Sequence, residues 1–209
     1  MSQHVVNVET AETGKREQNA ARNRAAILQA AREAFCELGF GATTVRDVIR
    51  RTDLASGTFY NYFPDKEALL RELVEDFQAE LLRRLHEARE AAESLEDLLR
   101  SAFRVCFEIF MEDQVFLQLA VRNSGEIEKL TSTRALEPAI SDLAKDLRAK
   151  ALEGVVPSTI DFDLIAQSAV VVGSDLAFHA VRTQADVETA TDFATDLFLG
   201  GIDRMSRKS

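Results

Sequence analysis

The sequence is poor in the residues that interrupt or cross-link a chain. Among 209 residues there are 9 Gly, 3 Pro, 2 Cys and no Trp. So few breakers exclude collagen-like and low-complexity classes and favour long helices. Cys36 and Cys106 lie far apart in apolar helical patterns, so neither a disulfide framework nor a CxxC zinc site is on offer. Residues 1–20 lack the apolar segment of a signal peptide, and no run approaches the roughly 18 apolar residues that span a bilayer. The chain is expected to be soluble and cytoplasmic, with no membrane partner. Signatures of catalysis are missing too: no GxSxG, Walker loop, GxGxxG or HExxH, and no Cys and His at useful spacing. Neither an enzyme nor a cofactor is expected, and His86 lacks partners at metal-ligand spacing.

What is present is apolar and charged: 46% hydrophobic and 29% charged residues, with a formal net charge of -10. Over the whole chain that acidity argues against a protein that coats nucleic acid. The charge is unevenly spread, however. Residues 15–51 hold eight basic and four acidic groups, whereas residues 64–209 hold 17 basic and 28 acidic ones. The pattern describes a locally basic head on an acidic body.

Periodicity predicts an all-α fold. After a polar tail over residues 1–20, Ile27, Leu28, Ala31, Ala34, Phe35 and Leu38 recur at helical spacing up to Gly39, a C-cap residue. A short second helix follows, with Thr44 as N-cap and Asp47 completing a capping box. A third spans Ser56 to Tyr62, after which Phe63, Pro64 and Asp65 close the unit and start the next helix. Further helices are expected near 65–91, 94–111, 113–122, 134–152, 161–182 and 186–206. Ser94 and Asp161 serve as N-caps, and Gly154 and Pro157 end the fourth of these. The implied domains are a head over residues 21–64 and a helical bundle over residues 65–209.

Three short helices, the last two joined by a tight turn, have helix-turn-helix proportions. Ala55, Ser56, Gly57 and Thr58 are small enough to let a helix start approach a DNA backbone. Thr58, Tyr60, Asn61 and Tyr62 add hydroxyl and amide groups suited to phosphates and base edges. Lys66 stands at the start of the next helix. Half-buried packing is the competing role for the tyrosines, and a solvated charge is the competing role for Arg46.

Residues 35–69, FCELGFGATTVRDVIRRTDLASGTFYNYFPDKEAL, resemble the DNA-binding domain of the TetR family of transcriptional repressors. The likeness is carried by Phe35, Gly39, the Thr43, Thr44, Val45 run, Asp47, Val48, Ile49, the Gly57, Thr58 pair, the Tyr60 to Phe63 run, Lys66 and Glu67. It departs at Arg50, where the family has a small residue, and at Asp53, where it has a turn glycine. Asp tolerates a left-handed turn better than most residues. Arg50 is either an added phosphate contact or a surface group.

The resemblance implies that Thr44 and Lys66 touch phosphates, that Arg46 reaches a base edge or phosphate, and that Ser56, Gly57, Thr58, Tyr60, Asn61 and Tyr62 form the recognition surface. Phe35, Leu38, Val45, Val48, Ile49, Leu54, Phe59 and Phe63 would be core. Lys15, Arg16, Arg22 and Arg24 would either grip DNA or remain solvated. The family's bundle encloses an effector cavity. Lining candidates are Phe77, Leu81, Phe103, Phe107, Phe110, Phe116 and Leu117, with Arg122, Asn123, Asp175 and His179 as polar anchors. Against this stands the plainer role of these aromatics as bundle core. Small residues in the last two helices (Ala169, Gly173, Ala177, Ala190, Ala194, Gly200 and Gly201) suit the family's dimer interface. The implied function is a ligand-responsive homodimeric repressor of a palindromic operator, released by a small lipophilic effector. An activator or corepressor-dependent regulator of the same fold is the alternative.

Overall fold

The computed structural model describes residues 3–130, 136–153 and 160–207, with side chains from residue 15 onward and excepting Glu128 and Leu130. The caps expected at Gly154 and Pro157 lie outside these residues. Among the described residues there are ten α-helices and no strand. The helices are α1 (Gln3–Leu38), α2 (Val45–Ile49), α3 (Ser56–Phe59), α4 (Lys66–Glu90), α5 (Leu95–Glu112), α6 (Gln114–Arg122), α7 (Ser124–Leu130), α8 (Glu137–Leu152), α9 (Phe162–Thr183) and α10 (Val187–Ser206). They divide into two compact units. Unit 1 comprises residues 1–74 and 118–130, and unit 2 residues 75–117 and 131–209.

In unit 1, α1 is helical from Gln3, well before the start near Arg22 that apolar periodicity predicts. The extension replaces the expected polar tail, and its composition explains this. Residues 15–26 are dominated by Ala, Arg, Glu and Gln, which are helix formers without a core-facing stripe. Helix α1 ends where expected, at Gly39, whose φ of 82° places it in the left-handed region that an L side chain disfavours. The capping box at α2 is also as expected: Thr44 Oγ1 accepts from Asp47 N at 3.2 Å, and Asp47 Oδ2 accepts from Thr44 N at 2.9 Å. Asp65 caps α4 by accepting from Ala68 N at 2.7 Å.

Phe35, Val48, Ile49, Phe59 and Phe63 pack in the core of unit 1 with Ile27, Leu69 and Leu70. Leu38 does not. It is 41% exposed at the last residue of α1, although its spacing puts it on the same face as Ala34 and Phe35. Val45 and Leu54 are only half-buried. The turn between α2 and α3 is closed by Thr52, whose hydroxyl donates to Ile49 O at 2.9 Å and accepts from Leu54 N at 3.2 Å. The turn therefore needs no left-handed residue at Asp53. Among the described residues the one positive φ outside glycine is that of Gln184, which ends α9 at 54°.

In unit 2, α5 is the central helix. Leu98, Leu99, Phe103, Phe107 and Phe110 bury its apolar face, and Ser94 caps it through Asp97. Helix α5 packs against α9 and α10, and α8 packs against α9. Asp161 caps α9 by accepting from Leu164 N at 3.0 Å. Ion pairs fasten the helices at the surface: Arg84 to Glu112 at 2.8 Å between α4 and α5, and Arg104 to Glu188 at 2.7 Å between α5 and α10. Helix α9 is long and apolar enough to cross a membrane by length and composition alone, with a mean hydropathy of 1.5. Here Ala166, Ala169, Gly173, Ala177 and Ala180 bury one face of it in the bundle.

Phe103 of α5 lies tight against α9 at Gly173, where a Cβ would stand 2.9 Å from Phe103 Cε1. Phe103 is itself held against Phe107 and Phe198, with ring centroids 6.5 and 5.4 Å away. Gly173→Ala gains helix propensity of up to about 1 kcal/mol but overpacks a fixed ring, which costs about 1–3 kcal/mol. Overpacking wins, and a thermal melt is expected to show a Tm lower by roughly 2–4 °C. An unchanged or higher Tm would mean that Phe103 is free to move.

Candidate DNA interface and effector cavity

The head exposes part of α3 and the residues that follow it. Phe59 is fully buried and anchors α3, while Ser56, Gly57, Tyr60 and Asn61 face solvent and Thr58 and Tyr62 are half-buried. Tyr60 is 65% exposed, and its ring meets Phe59 edge-on with centroids 5.2 Å apart. Tyr62 is more engaged, since its hydroxyl accepts from Asn23 Nδ2 at 3.2 Å. Arg46 and Arg50 are exposed, and Arg51 pairs with Glu37 at 2.7 Å. Arg24 is tied to Glu72 and lies 5.0 Å over the Phe63 ring, so this basic group braces the head.

Two expected phosphate contacts also have structural roles. The Thr44 hydroxyl donates to Asp47 Oδ2 at 2.6 Å inside the capping box, and these bonds hold the Asp47 carboxyl below its usual range. Lys66 Nζ donates to Phe40 O at 2.8 Å and Thr43 O at 2.9 Å and stands 4.4 Å above the Phe40 ring. Two of its three N–H groups are thus spent on the turn between α1 and α2, leaving one for a phosphate.

Gly57 stands in open space on α3. A Cβ there would meet nothing within 4 Å, so internal packing does not require glycine. Gly57→Ala should therefore leave the melting temperature level or slightly raised, because Ala is the better helix residue. Its operator affinity, measured by fluorescence anisotropy, should fall severalfold if the space is clearance for DNA. Unchanged affinity would show that DNA does not approach this point.

In unit 2 the structure contains an apolar cavity of about 50 Å³ between α4, α5, α8 and α9. Of the expected lining residues, Leu81 and Phe103 face it. The others fill space with one another. Phe77 stacks on Phe116 at 4.0 Å and lies 5.1 Å from Phe110, which in turn meets Phe178 at 4.9 Å. Phe107 and Leu117 are buried in the same core. The cavity wall instead uses smaller groups: Leu85, Leu99, Ala102, Ala139, Leu143, Ala169 and Val170, with Cys106, Ser174 and Arg89 as its polar members. Burial pushes the Cys106 thiol up to about 12, so it stays neutral and unreactive.

None of the four expected polar anchors lines this cavity. Asp175 and His179 are exposed on α9. Arg122 and Asn123 belong to unit 1, where Arg122 Nε covers Gly39. Asn123, 4% exposed, bonds the end of α1: its Oδ1 accepts from Phe40 N at 2.6 Å, and its Nδ2 donates to Leu119 O at 2.7 Å and Phe35 O at 3.3 Å. Helix α7, which begins just after it, falls between the helices expected near 113–122 and 134–152. Asn123 is a structural residue.

Residues 27–73 match the family described as bacterial regulatory proteins, tetR family. The head is a TetR-family helix-turn-helix domain. A repressor named KstR2 from Mycolicibacterium smegmatis is 34% identical over 88 residues, 42% of this chain and 43% of that protein. The Bacillus subtilis regulator YuxN is 24% identical over 135 residues, 65% of this chain and 44% of its own. The chain thus spans less than half the length of these curated relatives. Solved structures extend the fold likeness beyond the TetR-family head. The fatty acid degradation regulator FadR from Bacillus halodurans superposes with a TM-score of 0.74 at 20% identity, covering 86% of this chain and 95% of that one. FadR from Bacillus subtilis, solved in complex with stearoyl-CoA, gives 0.73 at 20% identity, covering 85% and 98%. The all-α fold is therefore shared with these regulators.

Proposed function

We propose that this protein is a cytoplasmic, homodimeric transcriptional repressor that binds a palindromic operator and is released by a small lipophilic effector. The observation that carries the reading is the solvent face of α3, where Ser56, Gly57, Tyr60 and Asn61 stand free over the anchored Phe59. Thr44, Arg46, Thr58, Tyr62 and Lys66 flank that face and supply phosphate contacts, and the basic residues from Lys15 onward add charge along α1. Two such heads would enter successive major grooves about 34–36 Å apart, which requires two-fold symmetry. Support for the dimer comes from Leu164 and Val171 on α9 and Phe193 and Leu197 on α10, large apolar side chains exposed on the two expected interface helices.

The apolar cavity supports the effector reading. A void of about 50 Å³ holds only a few waters, so a larger ligand must part the helices around it. That is how a ligand acquires different affinities for two states, which is the condition for it to shift them. The repressor role is that of the relative KstR2, and the lipophilic class agrees with the stearoyl-CoA bound by FadR of Bacillus subtilis.

Selection of binding sites from random double-stranded DNA with the full chain tests this function. Enrichment of an inverted repeat, bound by two protomers, is the expected result. Recovery of unrelated or asymmetric sequences would contradict it.

A further inference from the structure

The polar members of the unit 2 cavity restrict what it can hold, provided that this cavity is the effector site. Its walls are carbon: Leu81, Leu99, Phe103, Ala139, Leu143 and Val170. Ser174 has already given its hydroxyl proton to Val170 O at 2.8 Å, and the Cys106 thiol is neutral. The one strong donor is the Arg89 guanidinium, on a side chain only 14% exposed. Its Nε faces Asp146 at 2.9 Å and its Nη2 donates to Asp142 at 3.1 Å, both on α8. Among the described residues Nη1 has no partner. A guanidinium carries five N–H groups and no acceptor, so donors are left over beside an apolar void.

Charge selects the group that can meet them. Arg89 and Lys145 stand among Asp142, Asp146 and Glu90, two cations against three carboxylates. Burial holds Asp146 above the ordinary carboxylate range; Arg89 and Lys145 pull it down, while Asp142 and Glu90 push it further up. A further anion would enter a region that is already negative. A cation would have to displace Arg89 from its own partners. An uncharged acceptor suffers neither penalty.

The geometry points to an effector with an apolar body and one uncharged carbonyl oxygen, a ketone or ester, accepting from Arg89. Hydrocarbons lacking the oxygen can fill the same apolar space but gain nothing from Arg89. The Arg89 bridge from α4 to α8 places this contact on the two helices that an enlarging ligand must separate.

Binding of three matched probes to the full-length protein tests the inference: 2-nonanone and nonane by headspace chromatography, and nonanoate by calorimetry. The wild type is expected to bind 2-nonanone at least about tenfold more tightly than nonanoate. Arg89→Met should weaken 2-nonanone about tenfold, the worth of one hydrogen bond to a charged donor, and leave nonane unchanged. Nonane binding also reports that the variant's cavity is intact. Should Arg89→Met fail to fold, the ketone-to-carboxylate preference of the wild type and its narrowing in Asp146→Asn, which removes one negative charge, decide the matter. Equal loss of ketone and hydrocarbon in Arg89→Met, or tighter binding of nonanoate than of 2-nonanone, overturns the role of Arg89 while the effector cavity stands. If no probe binds the wild type, the cavity is not an effector site and both readings fall.

Discussion

Tyr60→Ala is expected to weaken the specific operator complex by about 1–3 kcal/mol, roughly ten- to a hundredfold, and to leave the fold intact. The two halves of that statement have separate grounds. Tyr60 is 65% exposed and meets the core edge-on at Phe59, so its removal opens no cavity. On the other side of the ledger, its ring and hydroxyl are the largest group on the free face of α3. Anisotropy titrations should show the loss for specific DNA with a much smaller change for scrambled DNA. Tyr60→Phe separates the hydroxyl from the ring, and a partial loss there assigns the remainder to packing against sugar or base. If Tyr60→Ala binds operator like the wild type, the recognition surface lies elsewhere.

Asn123→Ala should have the largest effect on stability, a loss of about 2–4 kcal/mol for unit 1 by urea unfolding. Two of its three bonds are to carbonyls that keep other donors, since Leu119 O also accepts from Asn123 N and Phe35 O from Gly39 N. Phe40 N has Asn123 Oδ1 as its partner at 2.6 Å, and Phe40 is buried. Stranding that N–H costs about 1–3 kcal/mol, and about 1 kcal/mol more goes with the bonds lost. Asn123→Asp retains the acceptor but turns a carboxylate towards Phe35 O and Leu119 O. It should not rescue at neutral pH, and it should recover in part at mildly acidic pH, where the protonated form donates again. A variant as stable as the wild type would remove Asn123 from the framework of the head.

How much of this the sequence displays depends on the range of the interaction. Capping by Thr44 with Asp47, by Ser94 with Asp97, and by Asp65 and Asp161 spans three residues, so spacing alone identifies it. The apolar stripe of α5 is legible for the same reason. By contrast, Asn123 reaches Phe40 across 83 residues, and Arg89 reaches Asp142 across 53. No local pattern announces either, so Asn123 reads as a cavity anchor and Arg89 carries no distinguishing signal. The aromatics show a different limit. Their hydrophobicity marks Phe77, Phe110 and Phe116 as interior, yet whether a ring faces a void or another ring depends on three helices meeting. They meet ring to ring, and the smaller Leu, Ala and Val side chains are what leave the space.

The division of charge bears on function in the same way. The acidic body repels phosphates and the basic head attracts them, so DNA is favoured in one orientation and held through salt-sensitive contacts. The most direct test of the account is therefore a gel-shift titration of the full-length protein against the DNA upstream of its own gene, at several salt concentrations and beside a scrambled control. A specific complex at nanomolar to sub-micromolar protein that weakens steeply as salt rises is the predicted result. No complex, or equal affinity for the scrambled DNA, would contradict it.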